Sequence, residues 1–179
     1  MYMSQKSYAF YSMCWIFLLF WSSQLVCLEA GDLAPDFSLE ASDGKTYQLS
    51  EVLKEHIVVI AWYPRAFTSG CTIECKSFAE NGYLIKKMQV AYFMASVDPL
   101  SKNIDFALQN AADFPILSDP SKETAKEYEV LMMGLFAKRH TFYIDKNRTI
   151  LFIDRNVRPS QSAQDIAAKL KELGVGMRS

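Results

Sequence analysis

His56 to Cys75 reads HIVVIAWYPRAFTSGCTIEC. The stretch is apolar at consecutive positions from His56 to Tyr63, then turns through a proline-led loop. Unbroken apolar sequence suits a central strand covered on both faces better than a half-exposed one. Beyond the loop, Cys71, Cys75, Phe78, Gly82, Ile85 and Met88 recur at intervals of three and four, the spacing of one helical face. A strand, a loop and a helix in this order place Cys71 in the first helical turn. Unpaired N–H groups and partial positive charge collect there, and both favour a thiolate, the nucleophilic form of cysteine.

The flanking sequence builds a domain around this unit. Asp36 to Leu39 and Lys45 to Leu49 are short runs on either side of Ser42, Asp43 and Gly44, a hairpin signal. Ser50 stands where it would cap a short helical stretch from Glu51 to Lys54. Val90 to Val97 predicts a second buried strand, and Ser101 opens a helix with Ile104, Ala107, Leu108 and Ala111 on one side. Pro115 to Leu117 is a short strand, Ser121 to Tyr128 is helical, and Leu131 to Phe136 reads as a loop rich in Met and Leu. His140 to Ile144 and Thr149 to Asp154 flank a compact turn and are expected to pair as an antiparallel hairpin. Ser162 caps a final helix carrying Ile166, Leu170 and Leu173, and Gly174 takes the position where a helix ends with positive φ. Strands alternating with helices predict an α/β domain: a central mixed β-sheet flanked by helices, with an N-terminal hairpin extension. Ligands gather at the carboxyl ends of parallel strands in such sheets, and Pro64 to Gly70 is a loop of that kind.

The chain has 179 residues, 50% of them apolar, enough for one domain with a sizeable core. A formal charge of -1 gives no electrostatic reason to expect nucleic acid or an anionic membrane surface as partner. The first thirty residues differ from the rest, because Tyr8 to Trp21 is almost unbroken apolar and aromatic sequence after a single basic residue, Lys6. Residues 1–30 therefore read as an export signal or a retained membrane anchor, and residues 31–179 as the folded domain. The protein is expected to be exported, periplasmic or secreted, or tethered by that segment. Of four cysteines, Cys14 and Cys27 fall in the segment and Cys71 and Cys75 in the domain. Two cysteines four residues apart on one helix cannot staple a fold, which excludes a disulfide framework.

Several features together resemble a peroxiredoxin, and most nearly its bacterioferritin-comigratory (Q-type) branch. They are APDF at Ala34 to Phe37, WYPRAFTSGCTIEC at Trp62 to Cys75, LSDP at Leu117 to Pro120, and Arg139 two positions before Thr141 in TFYID. The likeness covers about residues 31 to 175. It implies a thioredoxin-like fold and a thiol peroxidase that needs no bound cofactor or metal. It implies peroxide as substrate, a thioredoxin-like reductant as partner, and a monomer or homodimer. Carried over position by position, Cys71 is the peroxidatic cysteine, Thr68 the hydroxyl that positions peroxide, Pro64 the shield of the site, and Arg139 the distal guanidinium. Gly70 lacks a side chain to obstruct substrate, and its N–H and that of Cys71 would point at the same spot.

Cys75 is the candidate resolving thiol, and there the chain departs from its relatives. The Q-type pattern usually has four residues between its cysteines; here there are three, Thr72, Ile73 and Glu74. Residues four apart share a helical face but sit too far apart for a disulfide, so a Cys71–Cys75 bond requires the first turn to unwind. Two other readings stay open. Cys71, Cys75 and His140 match the ligand set of exported copper chaperones of the Sco type, since soft thiolates with an imidazole suit copper. A thiol-disulfide oxidoreductase on the same fold is the other, although such enzymes usually separate their cysteines by two residues.

Overall fold

A computed structural model describes residues 27–176, so the expected signal or anchor lies almost wholly outside the described residues. The strands are β1 (Ser38–Ala41), β2 (Thr46–Gln48), β3 (Ile57–Trp62), β4 (Val90–Ser96), β5 (Ile116–Ser118), β6 (Leu131–Met132), β7 (Phe136–Ala137), β8 (His140–Ile144) and β9 (Ile150–Asp154). The helices are α1 (Leu49–Val52), α2 (Ser69–Asn81), α3 (Tyr83–Lys86), α4 (Leu100–Gln109), α5 (Glu123–Glu127) and α6 (Ser162–Glu172). Among the described residues, the main sheet runs β2-β1-β5-β4-β3-β8-β9. The β3–β4 and β4–β5 pairs are parallel; β8, β9, β1 and β2 join antiparallel. This is the mixed sheet with an N-terminal hairpin that the alternation of elements predicts.

β3 is central, and its alternating side chains divide the core in two. Val58, Ile60 and Trp62 enter a cluster with Leu49, Leu53, Ala125, Tyr128, Phe142 and Ile144. Val59, Ala61 and Tyr63 enter a second cluster under α2, α4 and α6 with Cys71, Cys75, Phe78, Phe106 and Leu170. Successive strand residues point to opposite faces, so a strand without a polar position is what a sheet buried on both sides requires. Tyr128 packs edge-on against Phe142, ring centroids 5.1 Å apart, and lies 6.1 Å from Trp62, an arrangement that locks the first cluster.

Local details depart from expectation where capping and short strands are concerned. Leu131 to Phe136 is not a loop: Leu131 pairs with Ala137 and Met132 with Phe136, making a small hairpin whose tip is Met133, Gly134 and Leu135. Gly134 has φ 68°, which favours glycine in such a turn. Ser50 does not cap α1, which begins at Leu49 after Gln48 without a side-chain cap. Ser162 is the first residue of α6 rather than its cap, and its hydroxyl is used elsewhere. Leu28 and Glu29 belong to the folded body: the Leu28 N–H donates to Glu129 at 2.9 Å, and Leu28 packs against the first core cluster.

Candidate active site

The candidate site lies where β3 ends and α2 begins. Thr68, with extended φ and ψ, is the N-cap residue of α2, which places Cys71 in the first turn. Cys71 is fully buried. Arg139, immediately before β8, reaches it: the guanidinium Nη2 donates to Cys71 Sγ at 3.2 Å. Pairing of Trp62 with His140 in the β3–β8 register brings the start of β8 alongside the β3 carboxyl end. Two segments 68 residues apart thus converge on one sulfur.

The other side of the guanidinium is fixed by a residue that the sequence reading passed over. Arg139 Nη1 is ion-paired with Glu74, which is itself fully buried, and Glu74 also accepts a hydrogen bond from Ser162 Oγ at 3.3 Å. A lone buried carboxylate is costly, and pairing with Arg139 and Ser162 supplies the compensation. The available signal was the spacing: Glu74 sits three residues after Cys71, on the same helical side. A Cβ at Gly70 would meet only Arg139 Nη2, at the ordinary contact distance of 3.4 Å, so space alone does not demand glycine there.

The loop between β3 and α2 is held from below. The Ala66 N–H donates to Asp98 Oδ2 at 2.8 Å, and Asp98 is paired with Lys102 at 2.6 Å and hydrogen-bonded by Ser96. Tyr63 donates to Asn103 at 2.6 Å, and Asn103 donates onward to Ser118 and the Leu117 carbonyl. Pro64 is half-buried, whereas Thr68 is exposed with its hydroxyl donating to the Arg65 carbonyl at 3.0 Å. Phe67 has φ 68°, a conformation non-glycine residues rarely adopt, and its ring packs edge-on against Phe106.

A match over residues 30–153 to the AhpC/TSA family model accompanies this geometry. The chain belongs to the AhpC/TSA family. Several relatives within it are named peroxiredoxin Q or Bcp. The crystal structure of peroxidoxin BcpB from Mycobacterium tuberculosis superposes with a TM-score of 0.74 at 30% identity, covering 85% of this chain and 99% of that one. Peroxiredoxin Bcp of Escherichia coli is 33% identical over 103 residues, 58% of this chain and 65% of that protein. The chloroplastic peroxiredoxin Q of Oryza sativa subsp. japonica is 30% identical over 138 residues, 75% of this chain and 63% of that protein. This peroxiredoxin is a thiol peroxidase with a thioredoxin-like fold.

The copper-chaperone reading fails on strand geometry. His140 opens β8 with its side chain on the Phe142 face, while Arg139, the residue just before the strand, reaches the other side. Arg139 reaches Cys71, while His140 lines a cleft on the other side with Cys27, Leu28, Tyr128, Phe142 and Arg155. Burial, then the Lys138 and Arg155 cations, push His140 below the ordinary imidazole range. Among the described residues no group of three or more His, Cys, Asp or Glu is arranged to hold a metal. Cys71 and Cys75 are free thiols on an intact helix. Burial, and then the charge of Cys71, push the Cys75 thiol up to about 12.

Proposed function

We propose that Cys71 is the peroxidatic nucleophile and that Arg139, Thr68, Gly70 and Pro64 form the peroxide site around it. The observation that carries this reading is the 3.2 Å contact from Arg139 Nη2 to Cys71 Sγ at a helix start. The Cys71 thiolate attacks one peroxide oxygen, the O–O bond breaks, and the departing oxygen leaves as water or an alcohol once protonated. Cys71 becomes a sulfenic acid. Negative charge moves from sulfur to the leaving oxygen during this step. A guanidinium with several fixed donors stabilises both ends of that movement. Thr68 supplies a hydroxyl at the mouth, and Pro64 excludes water beside the sulfur. Hydrogen peroxide and small organic hydroperoxides are the substrates.

Recycling uses Cys75 or an external thiol. In the first route, the opening turn of α2 unwinds, Cys75 attacks the Cys71 sulfenic acid, water leaves and a disulfide forms; a thioredoxin-like dithiol then reduces it. The helix supports a required opening, since i and i+4 Cβ atoms lie farther apart than a disulfide allows. The protonated, buried state of Cys75 agrees with a thiol withheld until that opening. The apolar N-terminal sequence supports an exported or membrane-tethered protein, with a thiol donor supplied on that side of the membrane. The test is peroxide consumption by the full chain with and without a thioredoxin system. Turnover abolished by Cys71→Ser is expected; unchanged turnover refutes the nucleophile.

A further inference from the structure

We propose that the Met132–Leu135 hairpin tip docks on an anionic lipid surface, so that the active site takes hydroperoxides from the bilayer it faces; this deepens the thiol peroxidase reading and rests on it. The tip is apolar and turned outward. Met133 is 82% exposed, Leu135 57% and Met132 40%, and Phe67 of the active-site loop is 44% exposed. Scattered exposed apolar residues are ordinary, but a cluster at a protruding turn marks an interaction site.

The chain's formal charge of -1 gives no overall attraction to anions, but locally one cation touches the tip and two stand at the base of the hairpin. Lys122 Nζ donates to the Gly134 carbonyl at 2.9 Å, the Arg65 guanidinium lies 6.0 Å from the Phe136 ring centroid, and Lys138 Nζ donates to the Glu129 carbonyl at 3.3 Å. Apolar side chains within a basic collar match the boundary between acyl chains and anionic headgroups. A second copy of the chain fits less well. In a two-fold dimer built on this patch, each collar would meet its own mate, cation against cation.

Topology puts the tip, the active site and the incoming chain at one pole of the sheet. β3 ends at Trp62 opposite His140, where β8 begins, and β9 ends at Asp154 opposite Thr141. Gly31 donates to the Ile150 carbonyl at the start of β9, whereas the Leu28 carbonyl accepts from Arg155, just past its end. Followed backwards from Gly31, the chain therefore runs along β9 toward the active-site pole. At Leu28 it is tied to Glu129, two residues before the hairpin begins. The sequence upstream contains the apolar run Tyr8 to Trp21. A bilayer holding that run would meet the pole that carries Cys71 and the hairpin tip.

The test uses the full chain reconstituted in phosphatidylcholine vesicles with or without phosphatidylglycerol. Brief chloramine-T treatment, read by peptide mass spectrometry, reports access to the Met132 and Met133 sulfurs without any turnover. Oxidation at least about fivefold slower on the anionic vesicles, with protection lost at high salt, is expected. Equal rates on both vesicles overturn the proposal. In a second arm, a Met133→Asp, Leu135→Asp variant should lose about tenfold in turnover of a vesicle-borne phosphatidylcholine hydroperoxide while keeping its hydrogen peroxide turnover. Equal loss on both peroxides overturns it, as does full lipid hydroperoxide turnover by a variant that sediments as a smaller species than wild type. Wild-type protein that consumes neither peroxide refutes the peroxidase reading instead, and methionine protection still decides the docking.

Discussion

Arg139 is held between two partners: its Nη2 donates to Cys71 Sγ at 3.2 Å while its Nη1 pairs with the buried Glu74 carboxylate. The guanidinium has no freedom to search for the sulfur, because helix α2 supplies both anchors. Arg139→Lys keeps the charge but loses the two-sided geometry. Its second-order rate constant with hydrogen peroxide, measured by stopped flow, is expected to fall about 100-fold. Glu74→Gln should fall less, about tenfold, since the amide retains a hydrogen-bond acceptor for Arg139.

Asp98 connects a different element to the same loop by accepting from the Ala66 N–H. Asp98→Ala leaves that buried N–H without its partner and Lys102 without its counter-ion, a loss of about 1–3 kcal/mol. A loop that is merely less stable would lower the melting temperature alone. Loss of positioning should also raise KM for peroxide, and Asp98→Asn, which keeps an acceptor oxygen, should recover most of it. Steady-state kinetics on both variants check this.

Cys75 gives a pH dependence of known sign. Its thiol is raised in the folded protein from an ordinary 9.0 to about 12, first by burial and then by the Cys71 charge. A raised folded value contributes stability that is complete below pH 9 and is lost as pH climbs toward 12. Urea unfolding across this interval should show a stability decline that is shallower in Cys75→Ser, the difference being up to about 1.4 kcal/mol per pH unit. Identical slopes would mean that Cys75 is not withheld as a protonated thiol.

His140 offers the sharpest separation from a copper site. It faces away from Cys71, so His140→Ala should leave peroxide turnover within about twofold of wild type. Copper binding to the reduced protein, followed by titration calorimetry, should not change on this substitution. A stoichiometric site lost with His140 would contradict the strand geometry.

Gly82 closes α2 against β4 with no room to spare. A Cβ there would lie 2.5 Å from the Phe78 carbonyl and 2.7 Å from the Tyr92 hydroxyl. Its φ of −58° is open to any residue, so the demand is for space rather than for backbone freedom. Gly82→Ala is expected to cost about 1–3 kcal/mol, seen as a lowered melting temperature.

The run from His56 to Tyr63 by itself pointed to a central strand, because consecutive apolar residues suit a strand covered on both faces better than a half-exposed one. The three- and four-residue spacing after Cys71 likewise determined where α2 begins and which side it buries, but not its end: the helix stops at Asn81, and Ile85 sits on the separate short α3. Local chemistry of this kind is written in periods of two and 3.6 residues. The hairpin at Leu131 to Ala137 escaped such a reading because strands of two residues are too short to show a period. Glu74 escaped for another reason: a carboxylate on a helix ordinarily faces water, and only the approach of β8 shows that it is buried against Arg139. Resemblance named Arg139, yet its partnership with Cys71 depends on the β3–β8 register, which joins residues far apart in the chain. The same register turned His140 to the opposite face. Sequence determined which sulfur stands at a helix start; the tertiary fold alone decided which charges surround it, because side chains distant along the chain meet only when the sheet is assembled.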